Sequence, residues 1–137
     1  MNTALKQEII DQMAKARAHL DYSYNKVLKI PLTDDLDDEQ LETLESFSSR
    51  FARYSDIIVS KYFRYLIKEK DPAFRGSIID LFNQAEKFKW IESADVWRRI
   101  RELRNVAAHE YEASDYKKLY AELINLVPHL FKVSFDL

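Results

Sequence analysis

The residue types best suited to chemistry lie between Arg104 and Tyr111, in the stretch Arg-Asn-Val-Ala-Ala-His-Glu-Tyr. Arginine is a permanent cation whose planar guanidinium can bind a phosphate through two nitrogens. Histidine is the side chain whose ordinary pKa suits it to carry protons near neutral pH. Arg104 and His109 therefore place an anion-binding group and a proton carrier five residues apart.

If residues 104–111 form a helix, its geometry determines which of their side chains lie on the same face. Asn105 lies four residues before His109, on the same helical face, where it could orient the imidazole. Tyr111 follows Arg104 by seven residues, two helical turns, and returns to the face of the arginine. Arg104 and His109 point about 140° apart in a regular helix. A distorted or ending helix, a curled arginine side chain or a second copy of the chain could each bring them together.

The pair suits cleavage of RNA without a metal ion. The histidine would take the proton from a ribose 2′-hydroxyl, which would then attack the adjacent phosphate. The arginine would stabilise the added negative charge at phosphorus, and the product would carry a 2′,3′-cyclic phosphate. The simpler alternative is that an arginine and a histidine on an amphipathic helix are ordinary surface residues.

A basic cluster precedes the pair. The net charge of the chain is −2, so nucleic-acid binding would have to use a local patch of cations. Four arginines within seven residues supply one, at Arg98, Arg99, Arg101 and Arg104. Arg98 and Arg101 lie before Arg104 on the same predicted helix and are candidates for contacts with an RNA backbone. The alternative is a solvated helix face.

The composition excludes several other kinds of site. Without cysteine, the chain can form neither disulfides nor thiolate metal sites, and its single glycine, Gly76, cannot make a phosphate-binding glycine loop. His19 and His129 lack a neighbouring carboxylate pattern and are interpreted as structural. No spacing of ligands is typical of a metal site, so we expect neither a metal nor another cofactor.

The elements that position these residues are predicted to be helices. The chain of 137 residues is 47% apolar and has only one glycine and three prolines, which favours an all-α, up-and-down bundle of four or five helices in a single domain over residues 1–137. No apolar run is long enough to span a membrane, and the first residues lack the apolar core of a signal peptide. We therefore expect a cytoplasmic protein without membrane contacts.

Apolar spacings of three and four predict a first helix over about residues 3–30, ended by Pro31, and a second over about 37–70. Phe47, Tyr54 and Phe63 flank the apolar stripe of the second helix. That helix is therefore expected to contact two neighbours, of which the second could be another copy of the chain.

The remaining helices follow from their start and stop signals. Asp71 and Pro72 predict the start of a third helix that extends to about residue 88. After a break at 90–92, Ser93 or Asp95 caps the helix of the arginines, which runs to about residue 110. A final helix starts near residue 115 and contains Pro128, which should kink it or weaken its last turns.

The stretch from Arg104 to Tyr111 resembles the signature of HEPN domains, in which an arginine is followed by four to six residues and a histidine. It is similar in particular to the toxin of HEPN–MNT toxin–antitoxin modules, the HepT-like branch, whose form is R-x4-H-x-Y. An asparagine directly after the arginine is also typical, and Asn105 stands there. The stretch lies late in a helix-rich chain, before one last predicted helix, as in that family.

The resemblance implies a homodimer or higher assembly in which two motif helices face each other across a cleft. Each copy would supply Arg104 and His109 as the catalytic pair and Asn105 as a supporting residue, and RNA, including tRNA, would be the substrate. The partner would be an MNT-type nucleotidyltransferase antitoxin that can add AMP to the motif tyrosine, here Tyr111. A bulky anion beside the pair should repel an RNA phosphate.

Two other functions fit the same residues. Closely similar helical proteins have been viewed as the substrate-binding subunit of a two-protein nucleotidyltransferase, in which this chain would only bind. The chain could instead be a helical interaction module that uses the aromatic segment 47–66. The intact pair of Arg104 and His109 favours the ribonuclease over the binding subunit.

Overall fold

The computed structural model describes residues 3–109 and 116–137, with the backbone alone at residues 108 and 109. These residues form a bundle of helices without strands, which confirms the predicted all-α fold. The helices are α1 (Thr3–Val27), α2 (Asp38–Ile57), α3 (Arg64–Lys70), α4 (Ile78–Lys87), α5 (Ala94–His109) and α6 (Tyr116–Phe131). A π-helical turn, Ile58–Phe63, joins α2 to α3 with helical backbone at both junctions. We call the continuous helix over 38–70 the long rod.

The π-helical turn fits the burial pattern of the long rod. Buried residues come in adjacent pairs that recur every four residues, at 54–55, 58–59, 62–63 and 66–67. Each step of four overshoots an α-helical turn by about 40°, so a regular α-helix would rotate the later pairs away from the core. The π-helical turn, whose hydrogen bonds reach five residues back, is wider and takes up this rotation. The pairs therefore stay on one face.

Helix α1 packs antiparallel to the long rod, and polar contacts fix their alignment. Arg50 donates hydrogen bonds to the Ser23 hydroxyl at 2.8 Å and to the backbone carbonyl of His19 at 3.2 Å. About three turns further along, the Lys61 ammonium donates to the Gln12 side-chain oxygen at 2.7 Å. These contacts hold the two helices side by side at the place where the candidate site lies.

The aromatic residues that flank the apolar stripe are buried within a single chain. Phe47, Tyr54 and Phe63 each have 0% of their surface exposed. The ring of Phe63 lies 5.8 Å from that of Trp90 and 5.5 Å from that of Trp97 on α5. Because α2 contacts α5 and α6 as well as α1, the second neighbour is supplied by the same chain. The expectation that a further copy could cover these rings is wrong, and the interaction-module hypothesis loses its support.

The third helix begins six residues later than predicted, at Ile78. The Asp71 carboxylate accepts from the amide of Ala73 in a local turn, at 3.1 Å, and does not cap a helix. Ser77 and Asp80 form a capping box that starts α4. Gly76 fits this entry because an added Cβ would lie 2.6 Å from the Phe74 ring. The local turn and the capping box together override the Asp-Pro signal.

Replacing Ser77 with alanine should destabilise the protein by about 1 kcal/mol, since an amide at the start of α4 loses its acceptor. Thermal unfolding followed by circular dichroism should show a fall in Tm of a few degrees. Ser77→Thr keeps a hydroxyl that can accept from the Asp80 amide and donate to the Asp80 carboxylate, and it is expected to retain the wild-type Tm. Equal losses in the two variants would contradict the capping assignment.

Candidate functional site

The motif arginine on α5 is paired with a carboxylate on α2. Arg104 Nε donates to the two oxygens of Asp56 at 2.9 and 3.2 Å, and Nη2 donates to Oδ2 at 2.7 Å. The pair is partly exposed, with 26% of the Arg104 side chain and 34% of the Asp56 side chain accessible. The hydrogen bond that Arg104 donates to Asp56 raises the pKa of the guanidinium, and burial lowers this pKa by a smaller amount. Asp56 therefore fixes one edge of the guanidinium, and Nη1 lies outside this pairing.

Arg104 borders a groove of about 990 Å³ between α1 and the long rod. From α1, the residues at 12, 15, 16 and 19 face it, which is the spacing of a single helical face. The opposite wall is α2 together with Lys61 of the π-helical turn, and α5 contributes Arg104 and Ala107 at its edge. Three helices that are distant in sequence thus meet beside the motif arginine.

The groove carries more cationic than anionic side chains. Its charged residues are Lys15, Arg53, Lys61 and Arg104 against Glu45 and Asp56, and His19 adds an imidazole. The carboxylate of Asp56 is already engaged by Arg104. Sequence reasoning missed Lys15, Arg53 and Lys61 because they lie on separate elements and form no local run. Their spacing is the signal that could have found them. Lys15 lies four residues before His19 on α1, and Arg53 lies four residues before Ile57 on α2, so each pair shares one helical face.

The other arginines of α5 point in different directions. Arg101 joins the Arg104 pair, with Nη1 3.8 Å from Asp56 Oδ1. Arg98 lies against α4 instead, where it donates to Asp95 at 2.8 Å and to Asn83 at 3.3 Å. The structure therefore brings Arg101, but not Arg98, to Arg104. A role for either in RNA binding stays a prediction.

Arg99 links α5 to α6. Its Nη2 donates to the Glu122 carboxylate at 2.6 Å, and its Nη1 donates to Glu102 at 2.8 Å. The hydrogen bond to Arg99 lowers the pKa of Glu122. Arg99 thus links α5, which carries Arg104, to the last helix, α6.

The remaining motif residues are placed in part. The backbone is α-helical from Arg104 to His109, so the helix is not distorted between them. A helix end near His109, a curled arginine and a second copy stay open as explanations. Asn105 is exposed on α5, and Tyr111 lies outside the described residues.

The two histidines interpreted as structural differ in their surroundings. His19 is exposed and borders the groove, which the sequence did not indicate. His129 is half-buried on α6, far along the chain from the motif. Within the described ranges, no three His, Asp or Glu side chains gather in a way that could hold a metal ion. Nor does any helix there have the length and apolar composition needed to cross a membrane.

Comparison with known proteins identifies the family of the chain. The family model for HepT-like proteins, described as ribonuclease HepT-like, matches residues 38–134. That range covers more than half of the chain, runs from the start of α2 to just beyond α6, and includes the stretch from Arg104 to Tyr111. No curated protein and no solved structure matches the chain.

Proposed function

Because the chain belongs to the HepT-like ribonuclease family, we propose that it is a metal-independent endoribonuclease that cleaves RNA, tRNA in particular, at a composite site between two copies. Arg104 and His109 are the catalytic pair in this proposal. The observation that carries it is the setting of Arg104, which Asp56 holds by two nitrogens at the edge of a cationic groove. A guanidinium held in this way is prepared to meet a phosphate.

The reaction would run by attack of the ribose 2′-oxygen on the adjacent phosphorus. His109 accepts the 2′-hydroxyl proton as the new O–P bond forms, and the bond to the 5′-oxygen breaks. Arg104 stabilises the added negative charge on the phosphoryl oxygens. The departing 5′-oxygen also needs a proton, and a site made by two copies has a second histidine to donate it. One fragment then ends in a 2′,3′-cyclic phosphate and the other in a 5′-hydroxyl.

The regulation we propose follows the family. The partner is an MNT-type nucleotidyltransferase antitoxin, and Tyr111 is the acceptor of AMP. The added phosphate would place a negative charge two residues from His109, where it opposes the approach of an RNA phosphate. Asn105, exposed on α5, would support the catalytic pair.

Purified protein should cleave total tRNA in the presence of EDTA and leave 2′,3′-cyclic phosphate ends. The same RNA with 2′-O-methyl groups should resist, because it lacks the nucleophile. Electrophoresis and end-group analysis by mass spectrometry check both statements. If protein that carries no AMP on Tyr111 leaves tRNA intact, the ribonuclease assignment fails and the substrate-binding subunit of a nucleotidyltransferase becomes the better description.

A further inference from the structure

The groove beside Arg104 continues along α1 and the long rod, away from the motif helix. We propose that this part of the groove is a binding track for the RNA sugar–phosphate backbone. In it, Lys15, Arg53 and Lys61 contact phosphates and lead the strand to Arg104. The inference rests on the proposed function, and it locates the backbone contacts on elements outside the motif.

The first argument is that the cations of α5 have carboxylate partners, whereas those of the track have none in the part of the chain that the structure describes. On α5 the cations already have carboxylate partners: Arg98 pairs with Asp95, Arg99 with Glu122, and Arg104 with Asp56. Among the residues that the structure describes, the ion pairs include none of Lys15, Arg53 and Lys61. A cation without a carboxylate partner has its full charge available for a phosphate. The track therefore adds three cations, for which the described residues supply no carboxylate partner, to Arg104, whose Nη1 lies outside its pairing with Asp56.

The second argument is alignment. Arg53, Ile57 and Lys61 border the groove at intervals of four residues. In a regular α-helix these positions would drift by about 40° at each step. The π-helical turn reduces that drift, and the hydrogen bond from Lys61 to Gln12 holds the lysine against α1. Cations of the long rod and Lys15 of α1 thus face one channel that leads past Asp56 to Arg104.

The third argument concerns the kind of partner. Among the described residues, the groove has small side chains at Ala16, Ala52 and Ala107, and its one large apolar side chain is Ile57. Protein partners usually anchor on buried aromatic or large apolar pockets, and bases usually stack on aromatic rings. Apart from the His19 imidazole, neither feature lines the described part of this groove. Small side chains and cations suit the binding of a phosphate backbone, and such binding should not depend on the base sequence.

The test is the salt dependence of binding to a 2′-O-methyl RNA, which cannot be cleaved, measured by fluorescence anisotropy. Lys15→Gln/Lys61→Gln should weaken binding and make the slope of log K against log salt shallower by about 1.4, for two lost phosphate contacts on a single strand. Lys87→Gln/Lys118→Gln removes the same charge from exposed helical lysines outside the groove. This control should keep the wild-type slope.

Arg53→Gln, measured separately, should remove a further contact, and thermal melts of all variants check that they are folded. If the double variants Lys15→Gln/Lys61→Gln and Lys87→Gln/Lys118→Gln bind RNA with the same salt slope, the proposed track is overturned. Cleavage of tRNA by wild type would still support the ribonuclease proposal. If the groove variants change only the native mass of the assembly, the groove serves a contact between proteins and the track is likewise overturned. If wild type binds no RNA at all, the ribonuclease proposal falls with it.

Discussion

Replacement of Arg104 with alanine should reduce the rate of RNA cleavage by about 10²- to 10³-fold, the usual effect of losing one preorganised group that stabilises transition-state charge. Single-turnover cleavage of a short RNA measures the step directly. The loss should appear mainly in the rate at saturating protein, because the added charge exists only in the transition state. Arg104→Lys keeps the charge but cannot reproduce the two-nitrogen pairing with Asp56, so it should recover only part of the rate.

The pairing of Arg104 with Asp56 also predicts that the effects of replacing these two residues on the cleavage rate are not additive. Asp56→Ala should lower cleavage roughly ten- to hundredfold, because Arg104 loses the contact that fixes its direction. In the Arg104→Ala background the same replacement should cost nothing further. Additive losses would show that Asp56 acts independently of Arg104. A faster Asp56→Ala enzyme would show that the carboxylate restrains the arginine by neutralising it.

Replacement of His109 with glutamine should reduce cleavage by about 10²- to 10⁴-fold, the range for loss of a general acid–base group. Wild-type activity should fall at low pH, since a protonated imidazole cannot accept the 2′-hydroxyl proton, and at high pH, since a neutral imidazole of the second copy cannot donate to the 5′-oxygen. The residual activity of the variant should lack this dependence. Rates measured from pH 5 to 9 under single-turnover conditions provide the comparison.

The matched control is His129→Gln, a histidine on α6 outside the groove. It should retain both the rate and the pH profile of wild type. A His109 variant that loses activity yet keeps the acid limb of the profile would assign that limb to another group, and the role of His109 would then be structural.

Local signals predicted much of the fold. The apolar spacing located α1 and the long rod, and the predicted start at about residue 37 agrees with the cap at Asp37, whose carboxylate accepts from the Gln40 backbone amide at 2.8 Å. The predicted start of α4 was wrong because two helix-start signals lie close together in this segment. The Asp71–Pro72 step is the more obvious pair, but Asp71 is used in a turn and Ser77 with Asp80 makes the reciprocal cap.

The candidate site was predictable only where it is local. The motif could be found because its arginine, histidine and tyrosine fall within eight residues of one another in the sequence. The partner of Arg104 could not, since Asp56 is 48 residues away and nothing near it distinguishes it from other carboxylates. The groove cations were missed for the same reason. Their relation depends on the antiparallel packing of α1 against the long rod.

The π-helical turn also limits how the length of the chain can vary. Deletion of one residue between 58 and 63 would allow an ordinary α-helical turn to form, and it would leave the two halves of the long rod nearly in phase because the π-helical turn holds one extra residue within about the same rotation. Leu66 and Ile67, now 4% and 1% exposed, would then stay in the core. One more residue inserted into the turn would instead rotate the following segment by about 100°, so insertions should be tolerated in the connecting segments at 28–37 and 71–77 and rejected within this turn.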